Sequence, residues 1–115
     1  LFGIIICHRS HLFLWQMIIP KSIRIAGQTI KIRFADLSDD DLYGYYSHER
    51  KTIFISEVLE GKTLLNTVRH ELMEASLCLS GVGFCETFEQ EAVVRCMDEV
   101  FFPAYERFLK RVGEG

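Results

Sequence analysis

The chain has 115 residues, of which 49% are apolar and 25% are charged, a balance typical of one soluble globular domain. An aromatic content of 12% argues against a disordered chain. The net charge of −3 leaves no basic excess that would neutralise a phosphate backbone, so we expect no nucleic-acid partner. Composition alone leaves the function open.

The N-terminal stretch 1–16 is apolar but carries a polar run at its centre. It is too short and too polar to span a bilayer, and it lacks the basic leading region and cleavage site of a signal peptide. We therefore expect no membrane association and interpret 1–16 as an extension, an extra strand being one interpretation, ahead of a single domain at 17–112. The four cysteines show no C-x-x-C spacing, which favours free thiols and a cytoplasmic protein.

The first half of the domain has the periodicity of strands. Apolar residues alternate across Ser22–Phe34 and are interrupted at Ala26-Gly27-Gln28, a pattern that predicts a β-hairpin. A second strand pair is predicted at Tyr43–Tyr46 and Thr52–Ser56, the latter being rich in β-branched and aromatic residues. The acidic segment Asp36–Asp41 is interpreted as a solvated loop between the two pairs.

The second half changes to helical periodicity. An amphipathic helix is predicted over Thr63–Ser80 and is ended by Gly81-Val82-Gly83. A second helix is predicted from about Phe88, with a kink at Pro103. The fold class is therefore α+β, with a small antiparallel or mixed sheet of N-terminal hairpins packed on two C-terminal helices.

The candidate metal-ligating and catalytic residues lie mainly in the first predicted helix, which contains the motif H-E-x-x-E. Residues four apart project from one helix face, so His70 and Glu74 can bind one metal ion, and Glu71 lies within reach of a metal-bound water. This is the geometry of the H-E-x-x-H zinc helix with its second histidine replaced. The helical phase leaves both Glu89 and Glu91 open as the third ligand.

The order of elements, the run Tyr43-Gly44-Tyr45-Tyr46, the His70-Glu71 pair and the run Glu91-Ala92-Val93-Val94-Arg95 together resemble the minimal HExxH zincin-like metallopeptidases. These are phage and bacterial proteins of the ImmA/IrrE-like and SprT-like kinds. The resemblance covers about Met17–Leu109. It implies a zincin-like fold with His70 as a metal ligand, Glu71 as the general base and Glu91 as the third ligand.

The same resemblance implies a cytoplasmic, phage-related hydrolase acting on a peptide or protein substrate. Metal-bound water would attack the peptide carbonyl while Glu71 accepts its proton. The strand Thr52–Ser56 would align the substrate by β-addition. Tyr45 or Tyr46 is a candidate donor to the oxyanion, and the spacing does not choose between them.

Glu74 departs from the family pattern. A metal set of His70, Glu74 and Glu91 carries two negative charges, which lowers the acidity of a bound water and moves the preference from Zn²⁺ toward Mn²⁺ or Fe²⁺. His48 is a possible replacement ligand, whereas Cys78 lies about 12 Å from His70 along the helix axis, too far to share its ion. The alternative function is a catalytically inactive zincin-fold protein that acts as a protein-interaction or regulatory module.

Overall fold

The N-terminal part of the chain joins the domain through a short helix. The computed structural model describes residues 13–81 and 90–114, the side chains at 90, 91 and 114 excepted. Residues 13–18 are helical, so the extra strand is wrong for this part of the extension, and 1–12 lie outside the described residues. Trp15 packs against the core, and Gln16 Nε2 donates a hydrogen bond to the Glu57 carbonyl at 3.0 Å.

The first hairpin forms as its periodicity predicts. Strands β1 (Ser22–Ile25) and β2 (Gln28–Ala35) pair antiparallel, with Ile25 opposite Gln28. The turn residues Ala26 and Gly27 have φ angles of +51° and +77°, the signs that a two-residue type I′ turn requires. This turn fixes the register that places the alternating isoleucines on one face.

The second strand pair gives the sheet its mixed topology. Strands β3 (Gly44–Ser47) and β4 (Thr52–Ser56) pair antiparallel, and β4 also pairs parallel with β2. The order is β1-β2-β4-β3. Because β4 has a neighbour on both sides, it cannot accept a further strand, and the substrate-aligning role expected for Thr52–Ser56 is wrong.

The two edges of the sheet differ. At the β1 edge, Arg107 and Arg111 donate hydrogen bonds to the carbonyl oxygens of Arg24 and Ser22, at 2.5 and 2.7 Å. At the other edge, the Ser56 N–H donates to the Tyr43 carbonyl at 2.8 Å. Since hydrogen-bonded pairs alternate along an antiparallel ladder, the backbone groups of Gly44 and Tyr46 face outward from β3.

One helix covers the centre of the sheet. Helix α1 (Gly61–Leu79) buries the stripe Leu64, Val68, Leu72 and Ala75 against the strand isoleucines. It ends where Gly81 takes a φ of +79°, a backbone conformation that glycine adopts without strain. The predicted helix is thus confirmed, with its start two residues earlier.

The second helix is confirmed but is not continuous. Helix α2 (Gln90–Cys96) passes through a π-helical turn at Met97–Phe101 into helix α3 (Phe102–Glu114). The turn comes directly before Pro103, which cannot donate a backbone hydrogen bond. A π turn is one known way of accommodating such an interruption. Phe108 of α3 and Phe101 of the turn complete the core.

The α+β class with a mixed sheet packed against helices is thus confirmed. Among the described helices, none combines the length and apolar character needed to cross a membrane. Within the same residues Cys78 and Cys96 are free thiols, while Cys7 and Cys85 lie outside them.

Candidate metal centre

The helical phase of α1 places the three side chains of the H-E-x-x-E motif, those of His70, Glu71 and Glu74, in different environments. Glu71 belongs to the buried stripe and is 4% exposed, because it lies three residues after Val68 and four before Ala75. His70 and Glu74 lie on the adjoining face, with side chains 67% and 51% exposed. The motif therefore combines one buried carboxylate with two accessible side chains.

These three side chains come together at one place. His70 Nε2 lies 3.1 Å from Glu74 Oε1, and one ligand atom from each of His70, Glu71 and Glu74 lies within 4.8 Å of the others. Two donors about 2.1 Å from a tetrahedral Zn²⁺ are about 3.4 Å apart, so the His70–Glu74 separation is close to that needed for shared coordination. The group could therefore hold a metal ion.

One oxygen of the buried Glu71 carboxylate, Oε1, lacks a hydrogen-bond partner among the described residues, although Glu71 shares a side-chain hydrogen bond with Glu74. Burial, then the hydrogen bond and charge of Glu74, raise the pKa of Glu71 from 4.5 to about 8. Burial is therefore a larger cause of the raised pKa than the neighbouring carboxylate of Glu74.

A groove opens beside this group, between α1 and the chain that leads into β3. Its volume is about 680 Å³. The lining includes His70 and Glu71 from α1, and Asp41, Tyr43 and Gly44 from the loop and the start of β3. The site thus lies next to the β3 edge, which pairs with no further strand among the described residues.

Gly44 allows this close approach. A Cβ atom at residue 44 would lie 2.9 Å from the Phe54 carbonyl oxygen and 3.1 Å from Thr67 Cγ2. Real side chains do not tolerate the shorter contact, so any larger residue would push β3 away from its neighbours. The glycine of the Tyr43-Gly44-Tyr45-Tyr46 run therefore lets β3 lie close to β4 and α1.

The third predicted ligand falls at the boundary of the described structure. Glu91 lies in α2, but its side chain is outside the described residues, as is all of Glu89. Convergence of Glu91 with His70 and Glu74 therefore stays a prediction.

Other candidate residues lie elsewhere. Tyr45 stacks on Phe54, with ring centroids 4.9 Å apart, on the sheet face opposite the core isoleucines. Tyr46 faces the core instead, and its hydroxyl lies 3.0 Å from His48 Nδ1. Lys51 Nζ lies 3.2 Å from His48 Nε2. The side chain of His48 therefore contacts those of Tyr46 and Lys51.

Several groove residues were missed by the motif-based analysis. Thr63, Asn66 and Thr67 also line the groove, one and two turns before His70 on the same side of α1. Their spacing of three, four and seven residues to His70 was visible in the sequence, but uncharged side chains gave no chemical signal.

Comparison with protein families, curated proteins and solved structures finds no significant match to this chain.

Proposed function

We propose that this protein is a metal-dependent peptidase in which His70 and Glu74 hold a divalent cation and Glu71 acts as the general base. The observation that carries the proposal is the buried, unpartnered oxygen of Glu71. An unsatisfied buried polar atom costs about 1–3 kcal/mol, and such atoms in folded proteins call for an explanation. A cation and a polarised water beside it supply one.

The donor set suits several cations. Imidazole nitrogen and carboxylate oxygen both bind Zn²⁺, and the share of oxygen donors also admits Mn²⁺ or Fe²⁺. Glu91 is the third ligand that we expect. A bound divalent cation polarises a carbonyl and lowers the pKa of coordinated water.

The chain's own residues supply the remaining steps. Glu71, ionised in the presence of positive charge, accepts the proton of the attacking water and passes it to the leaving amine. The outward-facing backbone groups of Gly44 and Tyr46 pair with an extended peptide at the β3 edge. The β1 edge is less suitable because Arg107 and Arg111 already bind two of its carbonyl oxygens.

A second candidate is a peptide-binding module without hydrolysis. Glu74 favours it, because a carboxylate in place of histidine cancels more of the cation's charge and leaves a bound water less acidic. The His70–Glu74 contact is also an ordinary pair of side chains four residues apart when no cation is present.

Calorimetric titration of chelator-treated protein with Zn²⁺ and Mn²⁺ tests the proposal. We expect one cation per chain, loss of binding in His70→Gln, and retained binding in Glu106→Gln, an exposed carboxylate of α3. Cleavage of a fluorescein-labelled unfolded protein should fall by about 10²–10⁴-fold in Glu71→Gln while cation binding persists. Absence of binding at millimolar cation would refute the proposal; binding without cleavage would favour the second candidate.

A further inference from the structure

The groove has an apolar wall that is exposed to solvent. Leu42 and Tyr43 line it and are 42% and 65% exposed. Two adjacent large apolar side chains at this exposure form a patch that a bound apolar side chain can cover. They come directly before β3, so a chain paired with the β3 edge would continue past them.

The loop side of the groove is negatively charged. Asp39, Asp40 and Asp41 are all exposed, and Asp41 lines the groove itself. The ionisable residues among the described groove lining are Asp41, Tyr43, His70 and Glu71, and neither lysine nor arginine is present there. A ligand that follows the groove therefore passes Asp41 with no lysine or arginine in the described lining beside it.

The buried end of the groove is a second, independent indication of a ligand. Glu71 is 4% exposed, and its Oε1 atom is unpartnered in the described residues. Asp41 is a turn residue three positions before Gly44, and both line the groove, so the two lie at most about 10 Å apart. An extended ligand pairing at Gly44 thus reaches Asp41 within about three residues.

We propose that the groove selects extended peptides in which an apolar residue is followed or preceded, within three residues, by lysine or arginine. The apolar side chain packs on Leu42 and Tyr43, and the cation lies beside Asp41. The proposal rests on the proposed function in treating the groove as a substrate site. It adds the substrate class, which neither the metal-binding motif nor the open edge of the sheet specifies.

Fluorescence anisotropy with labelled, uncleaved eight-residue peptides tests this selectivity. The first probe carries a central leucine and two lysines, the second replaces both lysines by glutamate, and the third replaces leucine by serine. Each exposed charge pair contributes about 1.5- to 5-fold in affinity. We therefore expect the leucine–lysine peptide to bind at least about five-fold tighter than the glutamate peptide, with the difference shrinking at high salt.

Two pairs of variants locate the selectivity. Asp41→Asn should weaken binding of the lysine peptide by about two- to five-fold, and Asp41 has a φ of +52°, which asparagine tolerates. Asp98→Asn, the same charge change on the π turn, should have no effect. Tyr43→Ser should reduce discrimination between leucine and serine peptides, whereas Val58→Ser, at a 69% exposed residue outside the groove lining, should not.

The outcomes separate this inference from the proposed function. Equal binding of all three peptides by a protein that binds a cation overturns the inference and leaves the peptidase proposal standing. Selective, Asp41-dependent peptide binding by a protein that binds no cation supports the inference and refutes the peptidase. Equal effects of Asp41→Asn and Asp98→Asn would show that net charge, rather than the groove, attracts the peptide, and would also overturn it.

Discussion

Replacing the buried carboxylate, Glu71→Gln, should change how stability depends on pH in the metal-free protein. In the folded chain Glu71 keeps its proton up to about pH 8, whereas in the unfolded chain it releases the proton near 4.5. Glutamine is uncharged throughout this range. Its amide nitrogen can donate to the Glu74 carboxylate as a protonated Glu71 does.

The sign follows from proton uptake on folding. Between these two pKa values the folded state binds one proton more than the unfolded state, so the free energy of unfolding falls as pH rises. The stabilisation from protonated Glu71 is complete below pH 4.5 and is lost progressively up to about pH 8. At about 1.4 kcal/mol per pH unit, the full loss is at most about 5 kcal/mol.

Urea denaturation at pH 5, 6, 7 and 8 with chelator present measures this loss. The variant and the wild type should be of similar stability at pH 5, and the variant should be the more stable by several kcal/mol at pH 8. In thermal denaturation, where 1 kcal/mol corresponds to about 4 °C in Tm, the difference between the variant and the wild type at pH 8 should be about 10 °C or more. Glu106→Gln should stay parallel to the wild type. Parallel curves for Glu71→Gln would show that Glu71 is ionised in the folded protein and would refute the reasoning.

Two further substitutions test the ligand position and the groove floor. Glu74→His restores H-E-x-x-H and should bind Zn²⁺ about tenfold more tightly (about 1.4 kcal/mol), because imidazole suits zinc and the site gains positive charge; equal or weaker calorimetric binding would mean that residue 74 does not face a metal. Gly44→Ala should destabilise the fold by about 1–3 kcal/mol in urea, since its Cβ would lie 2.9 Å from a backbone oxygen. Gly113→Ala, where no atom lies within 4 Å of the added Cβ, should be neutral or stabilising, and equal losses in both would contradict the steric account.

The elements of this fold were readable from the sequence because they depend on local pattern. Alternating isoleucines and a glycine-containing turn were enough for the first hairpin, and i, i+3, i+4 spacing was enough for α1. The order of strands was not readable. It depends on the parallel pairing of β2 with β4 across some twenty residues, and both strands present the same apolar alternation to any neighbour. Without the strand order we expected the substrate peptide to pair with Thr52–Ser56, whereas the strand at the end of the order is β3.

The candidate site, like the fold, could be predicted where it depends on local spacing and could not where it depends on the order of the strands. Helical periodicity correctly brought His70 and Glu74 together, and the same periodicity puts Glu71 in the buried stripe between Val68 and Ala75. A glutamate in phase with a core stripe is a readable signal of a functional carboxylate, since burying an unpaired carboxylate is costly. In the groove wall, Asp41 was assigned to a solvated loop and Tyr43 to a strand, and neither was connected with His70, because their position depends on where β3 joins the sheet.

The unequal edges of the sheet connect the fold to the proposed chemistry. A strand edge exposes a row of backbone donors and acceptors that invites pairing with another chain, and proteins commonly protect such edges. Here Arg107 and Arg111 lie one helical turn apart on α3 and bind alternate carbonyl oxygens of β1. The β3 edge instead borders a groove lined by the buried Glu71, whose Oε1 atom has no hydrogen-bond partner among the described residues. In the proposed mode of binding, a peptide paired at β3 lies beside the groove that Gly44, His70 and Glu71 line, so the edge that no described strand pairs is also the one next to the proposed catalytic side chains.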